Sequence, residues 1–177
     1  MIRIILLIIT LISQPILAQS SASKDKVALA KEVWSPVFEE ISAADVSRQF
    51  DEYRAARAPN AAPLKMNDKQ FKHAKELAYE TLAEMLTEQE LRVQQRLMNT
   101  AVGKKVYDNL ALLMSGGSPQ PLTPSQFLPE EITEWENFMA TENENIQLIN
   151  FKMRRFSEIL MEKRSKLTEQ EIHETSE

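Results

Sequence analysis

Cysteine is absent from the 177 residues, and that removes several chemistries at once. Without a thiol there is no cysteine nucleophile, zinc–thiolate site, thioether-linked haem, acylated lipoprotein anchor or disulfide. Glycine is nearly as scarce: three occur, at 103, 116 and 117, and no glycine-rich phosphate loop is present. The two histidines, His73 and His173, have no convergent partners at ligand or triad spacing. His73 falls two residues beyond Phe71, off the apolar face, and reads as a surface histidine. No nucleophile elbow, His-Glu-x-x-His or calcium loop occurs. The sequence therefore predicts no catalytic residue, no metal centre and no cofactor. Basic charge is also in deficit. Lys and Arg number 21 against 26 Asp and Glu, a net charge of −5, which argues against a nucleic-acid binder.

The one long apolar run is at the start. Arg3 precedes Ile4 to Ile12, interrupted only by Thr10; Pro15 then breaks the run and Ala18 follows. A bilayer span needs about 20 apolar residues, so the run is too short to cross. The order of base, apolar run and small residue is that of a cleaved export signal. The expectation is cleavage after Ala18, with Ala22 the alternative site, and a periplasmic protein with no remaining transmembrane span. Losing Arg3 brings the net charge to −6.

What is abundant is helix former: Ala, Leu, Glu, Gln and Lys. Apolar residues recur at three- and four-residue spacing in Val27, Ala30, Trp34, Val37 and Ile41, then in Val46, Phe50, Tyr53 and Ala56. A loop follows at Pro59–Pro63. Asn67 is a good cap for a helix carrying Phe71, Ala74, Ala78, Leu82 and Met85. Thr87-Glu88-Gln89-Glu90 reads as a capping box for a helix ending near Met98, and Thr100 as the cap of one carrying Val102, Val106, Leu110 and Leu113. Ser115-Gly116-Gly117-Ser118-Pro119 stops it. A short helix then carries Ile132, Trp135, Phe138 and Met139. Another capping box, at Thr141 to Glu144, starts a last helix with the seam Ile146, Ile149, Met153, Phe156 and Leu160, ending by Leu167. No stretch alternates with a two-residue period. The prediction is an all-α fold: about seven helices in a single domain over 27–167, after a flexible 19–26 and before an acidic tail at 168–177.

A short pattern recurs: apolar, Ser or Thr, two residues, acid, apolar. It stands at 41–46 (ISAADV), 86–91 (LTEQEL) and 167–172 (LTEQEI), and in degraded form, with Leu128 in place of the Ser or Thr, at 127–132 (FLPEEI). The segments 86–114 and 127–160 read as two related helix-pair units, each a short helix, a corner and a longer helix, joined by a linker at 115–126. Within the first unit, Thr87, Glu90, Leu91, Thr100, Gly103 and Lys104 match a motif of Ser/Thr-x-x-Glu-Leu followed by Ser/Thr-Pro-x-Gly-Lys/Gln. The chain departs from it at Leu97 and Met98, where aromatics are common, and at Ala101, where proline is. This segment resembles the exported proteobacterial family called domain of unknown function family twenty-fifty-nine. The resemblance implies an all-helical exported domain and brings no catalytic residues. Gly103, the one glycine inside a helical pattern, is expected to lie where the preceding helix approaches closely.

Charge is polarised late in the chain. Residues 130–144 hold six glutamates and no base; residues 152–166 hold Lys152, Arg154, Arg155, Lys163, Arg164 and Lys166 against Glu158 and Glu162. The first five of these bases form a possible interaction face for anionic lipid or an acidic polymer, or they meet the acids of 130–144. Met85, Met98, Met114, Met139 and Met153 fall on apolar faces, as core or as a groove for hydrophobic clients. The functional expectation is an exported, non-enzymatic interaction or binding module with an unidentified protein or envelope partner and no nucleic acid. It is expected to be a monomer, with a dimer as the other state. The alternatives are a chaperone-like binder of hydrophobic clients and an enzyme of unrecognised type.

Overall fold

The computed structural model describes residues 22–55 and 66–174, the side chains of 53, 54 and 166–174 excepted. The expected signal segment 1–18, its cut after Ala18, and the loop at 59–63 lie outside the described residues. The helices run α1 (Lys24–Glu39), α2 (Ala43–Ala55), α3 (Asp68–Met85), α4 (Glu88–Met98), α5 (Ala101–Met114), α6 (Pro129–Met153) and α7 (Phe156–Glu174). A single 3₁₀ turn, Pro124–Gln126, precedes α6. Among the described residues there is no strand, and the fold is all-α in one domain.

Side-chain caps set most helix starts. Ser23 accepts from the Lys26 amide, so α1 begins at Lys24 and the segment expected to be flexible, 19–26, is already helical in its last residues. Ser42 and Asp45 cap α2 reciprocally, as do Asn67 and Gln70 for α3 and Thr87 and Glu90 for α4. Each arrangement satisfies amides that the first helical turn leaves without partners. At α6 only half of the box forms: the Leu128 amide donates to Glu131 Oε2. At the far end of α5, Gly116 has φ +88°, and the Gly116 and Gly117 amides return to Leu113 O and Leu112 O. That left-handed stop is a Schellman motif, which glycine adopts without a steric penalty.

Trp34 organises the core. Its ring lies 5.9 Å from Phe38, 5.4 Å from Tyr107 and 6.5 Å from Phe156, and its indole N–H donates to Gln94 Oε1 at 3.2 Å. Helices α1, α4, α5 and α7 thus meet at one side chain. Helix α1 packs on α3, α4 and α5; α3 carries α7; α4 carries α6; α2 touches α3 alone among the larger contacts. The buried face of α5 is Val102, Gly103, Tyr107 and Ala111. The expected stripe of Val102, Val106, Leu110 and Leu113 is therefore rotated, leaving Val106 and Leu113 exposed. The large Tyr107 ring against Trp34 sets that rotation, since aromatic burial outweighs a valine.

The second helix pair also departs from expectation. Helix α6 runs unbroken through Thr141, and the Thr141 hydroxyl donates back to Asn137 O and Phe138 O rather than capping a new helix. The chain turns instead at 154–155. The segment 86–114 therefore has its corner at 99–100, while 127–160 has none at the matching position. The predicted seam is inside all the same: Ile146, Ile149 and Phe156 are buried, and Met153 and Leu160 pack against the core. It is shared by two helices rather than carried by one. The expected acidic tail from 168 continues α7 as far as Glu174.

Candidate functional site

The residues of the 86–104 motif build a helical hairpin. Leu91 is fully buried. Glu90 is 3% exposed, and its carboxylate accepts from the Thr87 amide at 2.6 Å. Both its oxygens lie 2.7 Å from the Lys152 ammonium, so the cap that starts α4 also ties α4 to α6. Burial pushes the Glu90 pKa up; the hydrogen bonds from Lys152 and Thr87 pull it down and prevail, holding the carboxyl below its ordinary 4.5. At the corner, Thr100 Oγ1 accepts from the Gly103 amide at 2.9 Å and donates to Leu97 O at 2.8 Å. A Cβ on Gly103 would come within 2.5 Å of the Leu97 carbonyl carbon, backbone of the preceding helix. The close approach expected at Gly103 is present. Lys104 is exposed, and its amide closes the first turn of α5 onto Thr100 O.

The late bases do not form one open face. Lys152 pairs with Glu90 and Lys163 with Glu84 of α3. Arg164 lies over the Phe50 ring, 4.6 Å from its centroid. The acids of 130–144 do not meet these bases in the observed pairs: Glu142 is bound by Arg96 of α4. The polarised charges of α6 and α7 thus grip the α3–α4 hairpin separately. Arg154 and Arg155 are the two that stay in solvent, at the turn between α6 and α7.

Beside them the structure exposes what sequence reading passed over. Phe151 is 67% and Leu148 47% exposed. Ile146, Ile149 and Met153 point into the core. Leu148, Phe151 and Arg155 follow one another at three- and four-residue spacing on the opposite side of the helix. Arg154 keeps helical dihedrals (φ −58°, ψ −26°), so this outer face continues to the arginines. The available signal was position: both apolar residues fall off the Ile146–Ile149–Met153 stripe.

Two concavities complete the surface. A cavity of about 60 Å³ lies under α2 among Phe38, Ile41, Val46, Phe71, Met114 and Met161. An open groove of about 510 Å³ between the ends of α1 and α5 is lined by Glu39, Glu40, Asp108 and Leu112. Met85, Met98, Met114, Met139 and Met153 all pack against the core. His73 is exposed, as expected. Among the described residues no cluster of acids and histidines could hold a metal ion, and no helix is long and apolar enough to cross a membrane. Searches of protein-family models, characterised proteins and solved structures find no match to this chain.

Proposed function

We propose that the chain is an exported, non-enzymatic binding module of the cell envelope, and that the outer face of the α6 C-terminus is its contact surface. The observation that carries this is the exposure of Phe151 and Leu148 beside two arginines that enter no ion pair among the described residues. An exposed phenylalanine costs a monomer solubility and gains a role when a partner covers it. Supporting observations come from the charged groups. The carboxylates with resolved shifts are all lowered by structural contacts: Asp45 by its cap with Ser42, Glu90 by Lys152 and Thr87 against its burial, and Glu142 by hydrogen bonds from Asn145 and Arg96. They are held ionised as structural ties, whereas a general acid needs its pKa raised. The reading as a binder of hydrophobic clients has less support. The cavity under α2 is about 60 Å³, against roughly 300–1,000 Å³ for ordinary ligand pockets, and the groove that reaches about 510 Å³ is lined by Glu39, Glu40 and Asp108, acids ill suited to an apolar client. The export part of the proposal rests on the order of Arg3, apolar run and Ala18, and on the resemblance of 86–104 to the exported family. N-terminal sequencing of protein recovered from the envelope fraction tests it. A start at Gln19 or Ser23 supports export with cleavage at one of the two expected sites; intact Met1 in the cytosol overturns it.

A further inference from the structure

We infer that the α6–α7 corner docks on an anionic lipid surface, with Phe151 and Leu148 entering the headgroup layer and Arg154 and Arg155 meeting lipid phosphates. The inference rests on the binding-module reading above and names the partner of that same face. The corner joins the two chemistries that an interfacial contact needs. Phe151 and Leu148 stand one helical turn apart on the side of α6 turned away from Ile146 and Ile149, so they can be inserted without disturbing the core. The arginines follow them directly, where the helix ends. The negative end of the α6 dipole is adjacent, and bases there are favourably placed even before a lipid arrives.

Among the bases of 152–164, the other three are engaged, which sharpens the partner's charge. Lys152 lies against both Glu90 oxygens and Lys163 against Glu84, so the attraction must come from Arg154 and Arg155. The nearest following acid in sequence is Glu158, exposed in the first turn of α7, and no ion pair joins it to either arginine. Glu144, also exposed, lies one turn before Leu148 and bounds the face on that side. A molecule whose net charge is −5, or −6 once Arg3 is removed, is repelled as a whole by an anionic bilayer. Only an exposed basic patch within a Debye length of the lipid can reverse that locally. Such binding is weak, reversible and salt-sensitive, as suits a peripheral contact with one small apolar wedge.

The test is co-sedimentation with vesicles of phosphatidylethanolamine and phosphatidylglycerol, using the chain as recovered from cells with its N terminus read by sequencing. That reading separates a failure of the export proposal from a failure of the lipid contact. Wild type should bind anionic vesicles, bind pure phosphatidylcholine far less, and be released by high salt. Arg154→Glu with Arg155→Glu should weaken binding at least about tenfold, since each base near an anionic surface is worth roughly fivefold. Phe151→Ser should weaken it with the salt dependence unchanged. Phe151→Ser should melt as wild type does and the arginine variant only slightly lower, because these side chains are exposed and the arginines lose only their contact with the α6 dipole. Equal binding by wild type and the double arginine variant overturns the inference. So does a wild-type dimer in sedimentation that Phe151→Ser converts to monomer, which would place a second copy on the face.

Discussion

At single residues, Gly103 and Glu90 hold the α4–α5 corner and the α4–α6 contact. Replacing a helical glycine with alanine ordinarily gains about 1 kcal/mol. At Gly103 the new methyl would meet the Leu97 carbonyl carbon at 2.5 Å and Thr100 Oγ1 at 2.9 Å, and the first of these is backbone that cannot swing aside. Gly103→Ala should therefore lose about 1–3 kcal/mol in a urea titration, and a variant at or above wild-type stability would show an open corner. Glu90 gives a pH signature. Its folded-state pKa lies below the ordinary 4.5, so its contribution is fully present above that value and is lost as pH falls through the folded pKa. Glu90→Gln should cost stability near neutrality, and the gap to wild type should narrow as pH drops below 4.5. A gap that stays constant down to about pH 3 would mean that the ion pair does not stabilise the fold. Lys152→Met, which leaves a carboxylate buried without its cation, should cost more, about 3 kcal/mol. Glu90 was legible in the sequence as a cap; its second partner was not, because a contact between residues 90 and 152 leaves no local pattern.

Among the helices, capping chemistry was the most readable feature and also the source of an error. Of the four copies of the short pattern, those at 41–46 and 86–91 form full reciprocal caps, and the one at 127–132 forms half. The fourth, at 167–172, runs inside α7, where its side chains are outside the described residues. Thr141 to Glu144 satisfied the same rule and yet lies mid-helix. A capping box stabilises a helix start only if the preceding residue leaves helical dihedrals, and nothing between Met139 and Thr141 forces that. By contrast, Thr87 follows Leu86, which is buried in an extended conformation. Thr87→Ala should cost about 1 kcal/mol, while Thr141→Ala should be neutral or slightly stabilising because threonine is a poor residue for a helix interior. Equal losses at both sites in thermal melts would put a helix boundary at 141. Phe156, expected in the middle of one long helix, is the first residue of α7 and stacks on Trp34. Phe156→Ala should cost about 3–5 kcal/mol, and unchanged stability would remove it from the core.

For the whole molecule, the all-helical class follows from glycine scarcity and three- to four-residue periodicity, and both were visible in the chain. The arrangement was not. That Trp34 gathers Phe38, Gln94, Tyr107 and Phe156 depends on helix crossings, which periodicity does not encode. The proposed contact face escaped for the same reason. Sequence singled out five bases as a set, and folding turned Lys152, Lys163 and Arg164 inward while leaving Arg154 and Arg155 beside Phe151. The central claim is that this corner, rather than the rest of the surface, is where the molecule binds. The most direct measurement is photocrosslinking in cells with a photoreactive residue placed at 151 and, in parallel, at 73, an exposed position on α3. The account predicts adducts of lipid mass at 151 and none above background at 73. Equal labelling at both positions, or no adduct at 151, would contradict it.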